Sequence, residues 1–192
     1  MSSIEGKKIV YDACVLYPAS LRSFLIWLGV NGLVRPRWSE RILDECFNSI
    51  LRNRPDLAEA DLSRTRELMC EAIPDCLISD FENLIPKLTL PDPGDRHVLA
   101  AAIKGRAEAI VTFNLDDFPV ERLQPHRVSV LSPDSLVLEF IDSRPDEVLG
   151  CVDDEVSIRT NPPRDRQDVL SSVERCGLTE SSRRLRELSR SA

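Results

Sequence analysis

Three acids and an amide stand just after short apolar runs or at the end of a rigid turn. Asp12 closes the run Lys8-Ile9-Val10-Tyr11. Asp95 ends the rigid turn Pro91-Asp92-Pro93-Gly94-Asp95, which leads straight into an Ala-rich helical pattern. Asn114 and Asp117 follow directly on Ala109-Ile110-Val111-Thr112-Phe113. In open parallel sheets, ligands lie outside the carboxyl ends of the strands, and all of these positions can converge at one such edge. Carboxylates gathered there repel, and their pKa values rise unless a cation offsets the charge. Mg²⁺ or Mn²⁺ is the natural partner, because both take oxygen ligands. Such an ion activates water and neutralises charge on a phosphoryl oxygen.

Each position also has a plainer reading. Asp12 can start a turn, and Asp95 can be only a helix N-cap. Asp116 and Asp117 can be loop solubilisers, and Asn114 a turn residue. Glu45 lies well away from the apolar stripe of its helix, so periodicity alone makes it part of a solvated face.

The elements that must position these groups read as follows. Lys8 to Asp12 is a strand, and Leu21 to Leu28 a short helix. Gly29 to Gly32 is a turn, and Leu33 to Pro36 a second strand. Ser39 caps a helix that runs to about Leu51, with Ile42, Leu43, Cys46, Phe47 and Ile50 on one side. Asp61 to Ile73 is a further helix, ended by Pro74. The segment Phe81 to Leu90 fits no single pattern. Arg96 to Lys104 is helical, with Gly105 at its end. Ala109 to Phe113 and Arg127 to Leu131 are strands. This order predicts a layered α/β fold with a mainly parallel sheet. From Pro133 the pattern is helical only: Ser135 to Ile141, then two or three short amphipathic helices broken at Asn161-Pro162-Pro163 and Gly177. A boundary is expected near residue 144, giving units 1–143 and 144–192.

Composition sets bounds. Apolar residues make up 42% of the 192 positions and charged residues 30%, as in an ordinary globular protein. No stretch approaches the roughly 20 apolar residues that span a bilayer, so no membrane partner is expected. Met1 to Lys8 has no basic region followed by an apolar run, which predicts no secretory signal and a cytoplasmic location. Six cysteines occur without a C-x-x-C pair and read as free, largely buried thiols. The net charge of −7 excludes a general nucleic-acid coat. It leaves room for a local basic patch, and Arg35, Arg37, Arg41, Arg52 and Arg54 cluster before and along the Glu45 helix. The opposing reading of those arginines is scattered solvated charge.

Four pieces together resemble the PIN-domain family and, within it, the VapC-type toxins. They are Ile9-Val10-Tyr11-Asp12-Ala13-Cys14-Val15-Leu16, Ser39-Glu40-Arg41-Ile42-Leu43-Asp44-Glu45, Asp92-Pro93-Gly94-Asp95-Arg96-His97-Val98-Leu99-Ala100-Ala101-Ala102, and Ile110-Val111-Thr112-Phe113-Asn114-Leu115-Asp116-Asp117-Phe118-Pro119. The resemblance implies a three-layer α/β/α fold with C-terminal helices and a Mg²⁺- or Mn²⁺-dependent endoribonuclease. It makes Asp12, Glu45, Asp95 and Asp117 the catalytic acids, with Asp12, Asp95 and Asp117 holding the metal. Asn114, Arg37 and Arg41 become candidates for touching RNA. Many relatives carry an acid where this chain has Asn114, which puts a second tightly held ion in question. Asp92 and Asp116 are near-misses that could exchange roles with Asp95 and Asp117. The implied partners are RNA, a cognate antitoxin whose peptide fills the acidic groove, and a second copy of the chain. Two rivals remain. A haloacid-dehalogenase-type hydrolase would need a second acid where Cys14 stands. A catalytically silent PIN scaffold would fit Asn114 but not the four retained acids.

Overall fold

A computed structural model describes residues 6–191. The opening residues of the stretch read as leaderless, Met1 to Glu5, lie outside the described residues. Strands β1 (Lys8–Tyr11), β2 (Arg35–Arg37), β3 (Ala109–Val111) and β4 (Ser129–Leu131) form a parallel sheet in the order β2-β1-β3-β4. Ile9, Val10 and Tyr11 are consecutive and fully buried, as are Ile110 and Val111. Neighbouring side chains on a strand point to opposite faces, so both faces of the sheet are covered, as a parallel sheet requires.

Helices supply the cover: α1 (Ala13–Leu16), α2 (Ala19–Val30), α3 (Glu40–Asn53), α4 (Glu59–Ala72), α5 (Arg96–Gly105) and α6 (Val120–Leu123). α5 packs on β1 and β3, and α2 reaches β2. The Ala-rich face of α5 permits this close approach, with Ala100, Ala101 and Ala102 all fully buried. Ser39 caps α3 as expected, its hydroxyl accepting from the Ile42 N–H at 3.2 Å. α5 ends one step later than its glycine suggests. Arg106 takes the left-handed conformation (φ 52°), while Gly105 lies where an added Cβ would meet Ile78 at 2.6 Å. The glycine is needed for the close approach, and the turn falls to the next residue. The unassigned segment contains a 3-10 helix, Glu82–Lys87.

α7 (Pro133–Ser143), α8 (Pro145–Ser157), α9 (Arg166–Arg175) and α10 (Thr179–Ser191) complete the chain. α10 packs on α7 and α9, while α8 and α9 pack on α2. Between α2 and α8 lies a buried carboxylate, Glu155, 3% exposed. It accepts hydrogen bonds from the Ser23 hydroxyl, from Trp27 Nε1 at 3.1 Å and from Arg159 Nε at 2.9 Å. A buried charge is tolerated when paired and hydrogen-bonded in this way. No helix among the described residues is long and apolar enough to cross a membrane.

Replacing Glu155 by Ala strands the Trp27 and Ser23 donors at the α2–α8 contact. We expect a loss of about 2 kcal/mol in urea denaturation, and a clearly smaller loss for Arg159→Ala, whose side chain is 37% exposed.

Candidate active site

The carboxyl edge of the sheet carries the site. The Asp12 N–H continues the ladder by donating to the Val111 carbonyl at 3.1 Å, which sets the Asp12 side chain at the tip of β1. The chain then turns at once into α1, and Asp12 caps it, Oδ1 accepting from the Ala13 N–H at 2.7 Å. Its other oxygen, Oδ2, accepts from the Thr112 hydroxyl at 2.7 Å and from the Cys14 thiol at 3.2 Å. The capping and functional readings of Asp12 are therefore compatible. Burial, and then the Asp12 charge, push the Cys14 thiol up to about 12, so it remains a proton donor to Asp12 and not a nucleophile. Beneath α1, the buried Arg22 donates to the Leu16 carbonyl at 2.7 Å and the Tyr17 carbonyl at 3.3 Å, closing the end of that short helix.

Asp95 is distinguished from a cap by its neighbour. Asp92 accepts from the Gly94 N–H at 2.6 Å, whereas the Asp95 side chain makes no capping bond at the start of α5. Its half-buried carboxyl is pushed up to about 6, by burial first and then by the charges of Asp12, Asp92 and Asp117. The acids from separate elements thus lie within one another's electrostatic reach.

A cavity of about 470 Å³ opens here, lined among others by Asp12, Cys14, Tyr17, Glu45, Asp95 and Asn114. Asp117 does not line it but adds to the field on Asp95 from the turn after Asn114. Asp116 is exposed. Arg41 belongs to this site, its Nε lying 3.4 Å from Glu45 Oε1. Arg37 does not line it, and borders a different concavity with Lys8, Lys104 and Arg106. Among the described residues no group of three or more His, Cys, Asp or Glu side chains is gathered so as to hold a metal ion.

Sequence reasoning misses His97. It is 1% exposed, and its Nε2 lies 3.0 Å from Glu45 Oε1, while its Nδ1 is buried without a partner. Burial alone raises the Glu45 carboxyl, but the hydrogen bonds and charges of His97 and Arg41 outweigh it and hold it below the usual range. The available signal is a histidine beside the apolar run Val98-Leu99-Ala100, two positions after Asp95. Thr112 is missed as well, because a threonine ending a strand carries no periodic mark.

A family model described as "PIN domain" matches residues 8–116, more than half of the chain. This chain belongs to the PIN-domain family. A second model, "VapC50 C-terminal domain", matches residues 133–187, the helical end of the molecule. The chain is 37% identical over 79 residues to "Putative ribonuclease VapC50" of Mycobacterium tuberculosis (strain ATCC 25618 / H37Rv), a match covering 41% of this chain and 47% of that relative. The matched stretch thus spans about half of the relative's length. No solved structure matches the chain.

The raised Asp95 carboxyl has a measurable consequence. Its folded pKa, about 6, exceeds its ordinary value of 3.8, so the stabilising share it contributes when protonated is full below about pH 4 and disappears as pH rises through about 6. In EDTA, Asp95→Asn is expected to melt above the wild type near neutral pH and to lose that advantage near pH 4. Equal melting temperatures at both pH values would contradict the assigned field.

Proposed function

We propose that this PIN-domain chain is a divalent-metal-dependent endoribonuclease and the toxin of a toxin–antitoxin pair. The observation that carries the reading is that Asp12, Glu45 and Asp95, from three separate elements, line one cavity, where burial and then the charges of Asp12, Asp92 and Asp117 make Asp95 hold its proton more tightly. Such uncompensated charge is what a bound cation relieves. The donors are oxygens, as Mg²⁺ or Mn²⁺ prefers. Asp12, Asp95 and Asp117 would hold it directly or through water. When bound, the ion supplies a Lewis acid that activates water and neutralises phosphoryl charge.

The chain's own residues do the rest. Thr112, Cys14 and the Ala13 N–H fix the Asp12 carboxylate before substrate arrives. Glu45, kept ionised by His97 and Arg41, orients or deprotonates the attacking water. Asn114 presents a neutral amide to the cavity, so it can meet a phosphate without adding repulsion. The products would carry a 5′-phosphate and a 3′-hydroxyl. In this reading the nuclease unit is residues 1–143 and the helical extension 144–192, with α7 joined to the extension by its packing on α10. The acidic cavity suits an antitoxin arginine, the toxin acts as a homodimer, and RNA as substrate places the work in the cytoplasm.

Purified protein with Mg²⁺ or Mn²⁺ should cleave RNA and lose that activity in EDTA and in Asp12→Asn. Equal, metal-independent cleavage by wild type and variant would sink the nuclease reading and favour a binding scaffold, for which Asn114 is the supporting residue. His97→Ala, which frees Glu45, should lower kcat roughly 10- to 100-fold with little change in KM. His97→Gln, which retains a donor, should recover part of the loss. An unchanged kcat in His97→Ala would remove His97 from the site.

A further inference from the structure

A second concavity, of about 330 Å³, carries the opposite charge. Lys8, Arg37, Lys104 and Arg106 line it together with Ser79 and Gly105, and no carboxylate does. Lys104 and Arg106 are exposed, Lys8 and Arg37 half-buried. None of the four is in an ion pair with a described residue, although the chain has more acids than bases, 32 to 25. Ten of the other nineteen arginines meet a carboxylate, among them Arg41, Arg54, Arg66, Arg159, Arg166 and Arg186, so what sets this hollow apart is four cations gathered with no carboxylate in its lining. Two acids sit in the flanking turns. Asp80 accepts from the Ser79 hydroxyl at 3.2 Å, and Asp75 borders the neighbouring hollow; neither neutralises the four cations by contact.

Chain geometry explains how they meet. Lys8 opens β1, and Arg37 ends β2, whose first residue pairs with Lys8. Lys104 and Arg106 stand at the C-terminal end of α5. Asp95 stands at the other end of that helix, so the two concavities are separated by about 15 Å of helix axis at 1.5 Å per residue. The acidic cavity repels phosphates before a cation is bound, and a chain of net charge −7 offers no general attraction. Affinity for a polyanion has to come from a local basic site.

We propose that Lys8, Arg37, Lys104 and Arg106 form a phosphate-binding site for the RNA backbone, set apart from the acids that do the chemistry. This rests on the nuclease reading and deepens it. Affinity is gathered at one end of α5 and hydrolysis occurs at the other. A folded RNA engages both ends, and a dinucleotide only the acidic one. Arg37 is then a binding residue at this remote site.

The test uses the full chain carrying Asp12→Asn, so that RNA is not consumed, and a labelled folded RNA of transfer-RNA size over a series of salt concentrations. Adding Lys104→Gln and Arg106→Gln should weaken binding roughly tenfold at low salt and lower the slope of log K against log salt by about 1 for each phosphate that is no longer neutralised. The control pair Lys87→Gln and Arg122→Gln removes two exposed cations elsewhere and should have a clearly smaller effect. In protein with Asp12 intact, the Lys104/Arg106 pair should leave dinucleotide cleavage unchanged. An unchanged slope, an equal effect of the control pair, or an equal fall in dinucleotide cleavage overturns the proposal. The two readings fail separately. If the intact protein cleaves RNA while the slope is unchanged, the remote site falls and the nuclease stands. If it cleaves nothing while the slope drops, the phosphate site stands and the nuclease falls.

Discussion

The carboxyl edge of the sheet is organised around one acid, Asp12, held by hydrogen bonds to neutral groups. Asp12 has both oxygens engaged, by a backbone N–H, a hydroxyl and a thiol. Those donors come from β1's own continuation and from the residue after β3, so the register of two adjacent strands fixes one carboxylate. Asp95 accepts no capping hydrogen bond, and its carboxyl is raised by burial first and then by the charges of the neighbouring acids. Glu45 is held from the other side by His97 and Arg41. The site therefore contains a fixed acid, a strained acid and a steadied acid, each set by its own element. A cation entering this field gains most from the acid that is least compensated within the protein.

The parts of this arrangement that are legible in sequence share one property: each is marked by a break in pattern. Asp12 and Asn114 follow short β-branched runs, and Asp95 follows a proline-rich turn. Glu45 breaks nothing. It sits off the apolar stripe of α3, and only the three-dimensional placement of His97 on α5 shows which way it faces. Spacing does not separate Asp92 from Asp95, because either can cap a helix. The hydrogen bond from Gly94 to Asp92 decides it. The five arginines around α3 form one group in sequence. Folding sends Arg41 to the acids and Arg37 to a basic hollow, since Arg37 lies on a strand and Arg41 in the first turn of the helix that follows.

Helix ends fall one or two residues from their expected places, as terminal turns do. The shift at α5 has a specific cause. Gly105 has the sequence position of a cap, but its missing side chain serves contact with Ile78, and Arg106 adopts the left-handed turn. A glycine near a helix end has two uses, and sequence alone does not separate them. In the present fold the choice also puts the Arg106 side chain beside Lys104 at the same helix end.

The C-terminal helices are more than a cover for apolar surface, because they reach the segment that carries the acids. Gly177, with φ 101°, lies against the ring of Phe113, close enough that an added Cβ would stand 2.8 Å from it. Phe113 follows Thr112, which fixes Asp12, and precedes Asn114, which lines the cavity. The contact meets one side of the Phe113 ring, which is otherwise exposed. Glu155 joins α8 to α2 on another side of the molecule, so the helical segment grips the sheet-bearing part at two separate places. Hydrogen-bond geometry at Asp12 tolerates little displacement of Thr112. The C-terminal helices thus cover α2 and, at the turn before α10, touch the segment that follows β3.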